Sequence, residues 1–129
     1  MAFQFKKHYT REEAQSLLPQ LRKWLQRLAL LRQLLAGQDQ RIDALLSGGA
    51  DVGGDRVNAR VRHLSEVRQL LGQFQSREIQ IKDLERGLVD FPAVIGGKEV
   101  FLCWEQDEDV IEYWHDLDAG YAGRERFPI

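Results

Sequence analysis

The sequence predicts an α+β fold, in which a long antiparallel helical hairpin packs on a three-stranded antiparallel β-meander. The prediction rests on a change of period, because apolar residues recur at steps of three and four before Gly87 and at steps of two after it. Two glycine clusters support it, one inside the helical part and one inside the strand part. We therefore expect one domain over residues 1–129, with the hairpin at 10–86 and the meander and C-terminal tail at 87–129.

The first helix is predicted to begin at Thr10 and to continue to Leu46. Thr10 and Glu13 have the spacing of a capping box, which satisfies free amides at a helix N-terminus. Pro19 lacks a backbone donor, so we expect a bend there. The apolar stripe has the repeat that is typical of a coiled coil, and it comprises Ala14, Leu17, Leu21, Trp24, Leu28, Leu31, Leu35, Ile42 and Leu45.

A second helix is predicted from Asp55 to the low eighties, where apolar residues again follow helical spacing. The glycine-rich loop at 48–54 joins the two helices. It lacks a preceding strand and a following Lys-Ser or Lys-Thr pair, so a phosphate-binding loop is not expected. The end of the second helix is ambiguous, because Ile79 and Ile81 alternate as they would in a strand. We expect Gly87 to end that element.

A β-hairpin is predicted around the Gly96-Gly97 pair, since a two-residue glycine turn separates two runs of apolar and aromatic residues. Such a turn places Ile95 opposite Lys98. Counting back along both strands then places Asp90 opposite Cys103. The length of the turn therefore predicts the register of the whole hairpin.

The third strand is predicted over Val110–His115, after a turn that places Cys103 opposite Ile111. Pro92 cannot donate to a ladder, so the first strand should lie at the sheet edge or carry a bulge. The apolar face, which should pack on the helices, carries Val89, Phe91, Ala93, Val100, Leu102, Trp104, Val110 and Trp114. The mixed face, on which a site would lie, carries Asp90, Pro92, Val94, Phe101, Cys103, Ile111, Tyr113 and His115.

Four segments of the sequence carry a resemblance to a known family. They are YTREEAQSLLPQL from Tyr9, KDLERGLVDFP from Lys82, LCW from Leu102 and YWHDLDAGYAGR from Tyr113. These segments resemble the family catalogued as domain of unknown function 2203, and the resemblance covers nearly the whole chain except the glycine-rich loop. The family usually has a Gly-Glu pair in the second turn, where this chain has Asp107-Glu108. The resemblance supports the predicted fold and implies no activity.

The composition argues against several classes of protein. The chain has 18 basic and 20 acidic residues, and this formal net charge of −2 argues against a dedicated binder of nucleic acid or anionic membranes. A single cysteine excludes an internal disulfide and fits a reducing cytosol. The opening MAFQFKKHYT lacks the apolar run of a signal peptide, and no apolar run is long enough to span a membrane. We expect a cytoplasmic protein that does not bind membranes, and we disfavour nucleic acid as its partner.

The candidate functional cluster lies on the mixed face and in the tail, where polar groups gather while the rest of the sheet is apolar. Asp90 stands out, because a carboxylate inside an apolar run is destabilising unless it is paired. We expect it to form a salt bridge that pins the tail to the sheet, and a general acid or base is the alternative role. The available cations are Lys82, Arg86 and Arg124. The whole cluster comprises Asp90, Tyr113, His115, Asp118 and Arg124.

We assign no metal and no cofactor from the sequence. A zinc site needs convergent Cys and His ligands, and the chain has one Cys and three His. Asp116 and Asp118 would suit magnesium or manganese, but an Asp-x-Asp pair at a strand exit is common on protein surfaces. A nucleophile pair of Cys103 and His115 is disfavoured, since the predicted register places these two residues well apart.

The favoured function is a non-catalytic interaction or regulatory module that self-associates through its helices, because the sequence contains no recognised catalytic constellation. One alternative is a small-molecule or metal-dependent enzyme that uses the mixed face and the tail. Another is a binder of RNA or the ribosome through the arginine-rich second helix. We expect a homodimer, with an unidentified protein partner as a further option. The reason is that the other elements cannot cover all the leucines beside the first stripe, namely Leu18, Leu25, Leu30 and Leu34.

Overall fold

The computed structural model describes residues 2–48 and 54–127, and these form two helices and one antiparallel sheet. The helices are α1 (Arg11–Ser47) and α2 (Gly54–Ser76). The strands are β1 (Gln80–Asp83), β2 (Leu88–Ile95), β3 (Lys98–Glu105), β4 (Tyr113–Asp116) and β5 (Glu125–Arg126), which pair in chain order. The α+β class is confirmed, but the three-stranded meander is wrong, because the described part of the chain has five strands.

The first helix forms as one continuous element. Pro19 lies inside it and does not end it, and the helix also continues through Gly37. The predicted capping box is confirmed, since the amide of Thr10 donates to Glu13 Oε1 at 3.0 Å and the amide of Glu13 donates to Thr10 Oγ1 at 3.1 Å. Apart from Gly48 and Gly54, the predicted glycine-rich loop lies outside the described residues. Among those residues, no helix combines the length and apolarity that a bilayer crossing requires.

The second helix ends earlier than predicted. Glu78 adopts a left-handed backbone with φ 57°, and the amide of Ile79 donates to the carbonyl of Phe74 at 3.0 Å. This is the bonding of a Schellman cap, which ends a helix and satisfies its last carbonyls. The residues that follow form β1 and extend the sheet, so the hairpin boundary predicted at residue 86 is wrong. Sequence reasoning missed the cap because the left-handed position holds Glu rather than Gly.

The central hairpin of the sheet has the predicted register. Ile95 pairs with Lys98 and Asp90 pairs with Cys103, across a turn whose two glycines have φ of 58° and 79°. The prediction for the next strand is wrong by two residues, because Cys103 pairs with Tyr113 rather than with Ile111. Side chains alternate with a period of two, so this shift leaves the two faces of β4 as predicted while it changes every neighbour.

The chain before β4 is a loop that is fastened to α1. The carbonyl of Ile111 accepts from Arg11 Nε at 2.7 Å, and its amide donates to Gln15 Oε1 at 3.1 Å. These bonds turn the Ile111 side chain into the core and leave Val110 exposed, the reverse of the predicted arrangement. The prediction failed because it assumed that side chains alternate between two sheet faces here, whereas Val110 and Ile111 lie in a loop before β4.

The first predicted strand is β2, and it lies inside the sheet between β1 and β3 rather than at the edge. Its ladder with β1 extends only to the pair of Gln80 and Asp90, and the irregular spacing lies in β1. Pro92 therefore lies beyond that ladder, where its missing amide leaves no gap, and its carbonyl accepts from the amide of Tyr9 at 2.8 Å.

The core lies between the sheet and the half of the hairpin nearest to it. Of the leucines beside the first stripe, Leu18 and Leu25 are buried there, contrary to expectation, whereas Leu30 is 45% exposed. Among the side chains that the structure describes, none beyond Leu31 in α1 is buried, and in α2 only Phe74 is. The part of the hairpin that extends past the sheet, here called the distal hairpin (residues 30–48 and 54–66), therefore has no third layer.

Candidate functional site

Three side chains that carry acid–base or metal-binding chemistry meet on the mixed face of the sheet. They are Asp90 from β2, Cys103 from β3 and His115 from β4, here called the buried trio. Asp90 and Cys103 are paired residues, and His115 pairs with Phe101, which places it diagonally beside Cys103. The potential ligand atoms of the trio lie within 4.8 Å of one another, and none of the three residues is more than 2% exposed.

The hydrogen bonds of His115 define its protonation. Its Nδ1 lies 2.7 Å from the carbonyl oxygen of Asp116, which can only accept, so Nδ1 carries a proton and donates. Its Nε2 lies 3.0 Å from Asp90 Oδ2. Burial lowers the pKa of His115, but hydrogen bonds with Asp90, Cys103 and the Asp116 carbonyl outweigh burial and raise the pKa to about 10. At neutral pH His115 is therefore held in its imidazolium form beside Asp90.

The partner of Asp90 differs from the prediction. His115 lies on the same face two strands away and reaches Asp90 across β3, whereas the cations proposed from the sequence contact other groups. The second oxygen, Oδ1, is buried and has no hydrogen-bond partner among the residues of the described ranges. Of the predicted cations, Arg86 contacts Glu105, Arg124 contacts Glu108 and Lys82 lies over the ring of Phe101.

The expected separation of Cys103 and His115 is also wrong. The two-residue shift of β4 brings His115 from a distant position to one adjacent to Cys103. A protonated imidazole is nevertheless no general base, and Cys103 is fully buried. The trio as it stands therefore lacks the exposed nucleophile and free base that covalent catalysis needs.

Arg124 covers the trio from the side of the tail. Its guanidinium lies 3.7 Å from the ring centroid of Tyr113 and 4.3 Å from that of Tyr121. Its Nη2 contacts Glu108 Oε2 at 3.1 Å, and its Nη1 lies 4.0 Å from the sulfur of Cys103. The arginine thus holds the C-terminal tail against the sheet through two aromatic faces and one carboxylate.

A cavity of about 240 Å³ adjoins the trio and is lined by Asp90 and His115. Its wall also contains Asp118, so all five residues of the sequence-based cluster lie in or beside one region of the molecule. Cys103 belongs to this region although sequence reasoning set it aside. The alternation of side chains between the two sheet faces could have identified Cys103, since it had already placed Cys103 and His115 on the same face. The remaining residues that line the cavity are Lys82, Leu88, Leu117, Gly120 and Tyr121.

A comparison with protein-family models matches residues 7–127 of the chain to one family. Its description is "Uncharacterized conserved protein (DUF2203)". The chain belongs to this family. No curated protein and no solved structure matches the chain. DUF2203 membership therefore confirms the resemblance seen in the sequence.

In the second turn this chain has Asp107 where the resemblance leads one to expect a glycine. The only non-glycine residue with positive φ in residues 2–48 and 54–127 is Glu78, so the backbone at Asp107 does not require a glycine. The neighbouring Glu108 stabilises the turn, since its carboxylate accepts a hydrogen bond from the amide of Glu105 at 2.8 Å and pairs with Arg124.

Proposed function

We propose that this DUF2203 protein is a non-catalytic interaction module that self-associates through its distal hairpin. The observation that carries the proposal is a group of large apolar side chains that are 40–57% exposed on that part of the molecule. Those on α2 recur at steps of four and three, so they form one stripe along the helix. Contiguous apolar surface of this kind marks interaction sites. The group comprises Leu30, Val57, Val61 and Leu64.

Two polar contacts join the helices in the described part of the distal hairpin. Gln38 Nε2 lies 3.0 Å from His63 Nδ1, and Arg60 donates to Asp39 at 2.6 Å. Val57, Val61 and Leu64 are 40–57% exposed, so the apolar stripe on α2 faces outward. A second copy of the hairpin, packed isologously, would bury both stripes in a four-helix bundle with coiled-coil-like packing and would need no complementary charge.

The test compares two valines that are both exposed. Val61 lies in the stripe and Val94 lies on the sheet, where it takes no part in the proposed interface. Light scattering at micromolar concentration should give twice the chain mass of 14.9 kDa for the wild type and for Val94→Glu. Val61→Glu should give the mass of one chain, because a buried unpaired charge strongly disfavours association. A wild-type mass near 14.9 kDa at every concentration would refute the proposal.

The RNA-binding alternative has less support than self-association. Arg56, Arg62 and Arg68 are exposed on α2 but are spaced six residues apart. At 3.6 residues per turn they point about 120° from one another, so they do not form one basic face. Arg60 forms an ion pair with Asp39.

We place the module in the cytoplasm, because a chain with a single cysteine fits a reducing compartment.

The alternative of a metal-dependent activity has one specific observation in its favour. The buried trio offers three potential ligands beside a cavity with polar residues on its wall. The three potential ligands belong to one chain, so metal content can be measured independently of activity and of oligomeric state.

A further inference from the structure

The buried trio combines three kinds of metal-binding donor on three adjacent strands. A carboxylate oxygen, a thiol sulfur and an imidazole nitrogen all lie within 4.8 Å of one another. Each donor residue pairs within the β2–β3–β4 ladders, so the backbone fixes the relative positions of the three side chains. Sites held on strands in this way need little reorganisation to accept an ion.

Two features of the trio go beyond proximity. His115 donates from Nδ1 to the backbone carbonyl of Asp116, which directs Nε2 toward Asp90 and Cys103. Proteins commonly orient a metal-ligating histidine in this way, with the nitrogen that does not bind the metal donating to a backbone carbonyl. In addition, Asp90 Oδ1 is buried without a partner in the described residues, so the carboxylate has unused acceptor capacity.

We infer that Asp90, Cys103 and His115 form a binding site for one Zn²⁺ ion. Thiolate, imidazole and carboxylate are the three ligand types that zinc accepts. On binding, a bond forms from zinc to the sulfur, to Nε2 and to a carboxylate oxygen. The thiol proton of Cys103 and the Nε2 proton of His115 pass to solvent. The ion, two anionic ligands and one neutral imidazole sum to zero charge, which is compatible with burial.

The geometry requires only small movements. With zinc–ligand bonds of about 2.0–2.3 Å, the donors of a tetrahedral site lie roughly 3.3–3.7 Å apart. Asp90 Oδ2 and His115 Nε2 are now 3.0 Å apart, and no pair in the trio exceeds 4.8 Å. Adjustments of about 1 Å or less at the side chains would suffice. The ion would take the place of the hydrogen bond between Asp90 and His115.

Three protein ligands leave one position of a tetrahedral zinc ion open, as in catalytic rather than structural zinc sites. The cavity of about 240 Å³ reaches Asp90 and His115 and could supply a water or a small anion to that position. Two cations oppose the metal, since Arg124 lies 4.0 Å from the sulfur of Cys103 and Lys82 lines the cavity. The pairing of Arg124 with Glu108 at 3.1 Å offsets part of that repulsion.

The first experiment uses the full-length wild-type protein after treatment with a chelator. Calorimetric titration with zinc should show one ion per chain, and zinc should raise the melting temperature, because the folded state alone holds the assembled site. Titration with cobalt should produce a sulfur-to-cobalt charge-transfer band. The chain has a single cysteine, so such a band can only report Cys103.

The second experiment compares variants whose folding is checked by circular dichroism. Cys103→Ser should abolish the cobalt band, and Asp90→Asn and His115→Gln should each weaken zinc binding by roughly tenfold or more. The matched control is His8→Gln, which removes a different histidine–carboxylate pair, that of His8 with Glu99 at 2.7 Å. This control should bind zinc like the wild type.

Two outcomes would overturn the inference. One is a wild-type protein that gives neither heat with zinc nor a band with cobalt. The other is a cobalt band that survives unchanged in both Asp90→Asn and His115→Gln, since Cys103 would then bind metal without the trio. The inference does not depend on self-association, because the three ligands come from one chain and the Val61→Glu variant keeps all of them.

Discussion

Replacing Arg124 with alanine should lower the free energy of unfolding by about 2–4 kcal/mol. The arginine packs on the rings of Tyr113 and Tyr121 at 3.7 and 4.3 Å, and each cation–π contact contributes roughly 0.5–1 kcal/mol. Its pair with Glu108 is only 15% and 19% exposed, so its loss leaves a poorly solvated carboxylate, which costs about 1–2 kcal/mol more.

A second arginine in the same tail provides a matched control. Arg126 contacts Glu112 at 3.1 Å, the same distance that joins Arg124 to Glu108, but its pair is 62% and 38% exposed. Solvent screens a pair of that exposure, so Arg126→Ala should cost about 0.5 kcal/mol or less. Both substitutions remove an arginine from an ion pair, but Arg124→Ala loses a less exposed pair together with two cation–π contacts.

Urea denaturation at neutral pH measures both effects, and double-mutant cycles with Glu108→Gln and Glu112→Gln isolate the two ion pairs. The coupling between Arg124 and Glu108 should be about 1 kcal/mol or more, and that between Arg126 and Glu112 should be below about 0.5 kcal/mol. Equal losses for Arg124→Ala and Arg126→Ala would refute the reasoning, since neither the low exposure of the Arg124 pair nor its two cation–π contacts would then add stability.

Three further predictions concern the core, the trio and the sheet. Trp104→Ala should cost about 3–5 kcal/mol, because the indole is fully buried, and an unchanged melting temperature would contradict its place in the core. In metal-free protein the stabilisation from His115 is complete below its ordinary pKa of 6.5 and disappears as pH rises through about 10. The unfolding free energy should therefore fall between pH 7 and 9, and less steeply in His115→Gln, whereas equal slopes would argue against the charged pair. Gly87→Ala should cost more than Gly96→Ala, because both have positive φ but only a Cβ at Gly87 would overlap Gln106, and equal melting temperatures would contradict that overlap.

Local sequence signals predicted the parts of the fold that depend on neighbours in the chain. The capping box of Thr10 and Glu13 and the register of the β2–β3 hairpin were both predicted correctly. In each case the interacting residues are a few positions apart or are joined by a turn of fixed length, so spacing alone determines the contact.

The elements that sequence reasoning placed wrongly depend on contacts with distant segments. The end of α2 is set by the left-handed conformation of Glu78, whose carboxylate accepts from the amides of Lys6 and Lys7 in the N-terminal segment. The start of β4 is set by the bonds that tie Ile111 to α1. Neither interaction leaves a local pattern in the sequence.

The candidate site shows why predicting a face is not enough to predict a site. Alternation assigned Asp90, Cys103 and His115 to one face, and the two-residue shift of β4 did not alter that assignment. The same shift decided which side chains touch, because it moved His115 along β3 to the position beside Cys103. A buried carboxylate needs a partner, so the need of Asp90 for a cation was a clue to the register of β4. The register that the chain adopts keeps the correct face and places the cation His115 within hydrogen-bond distance of Asp90.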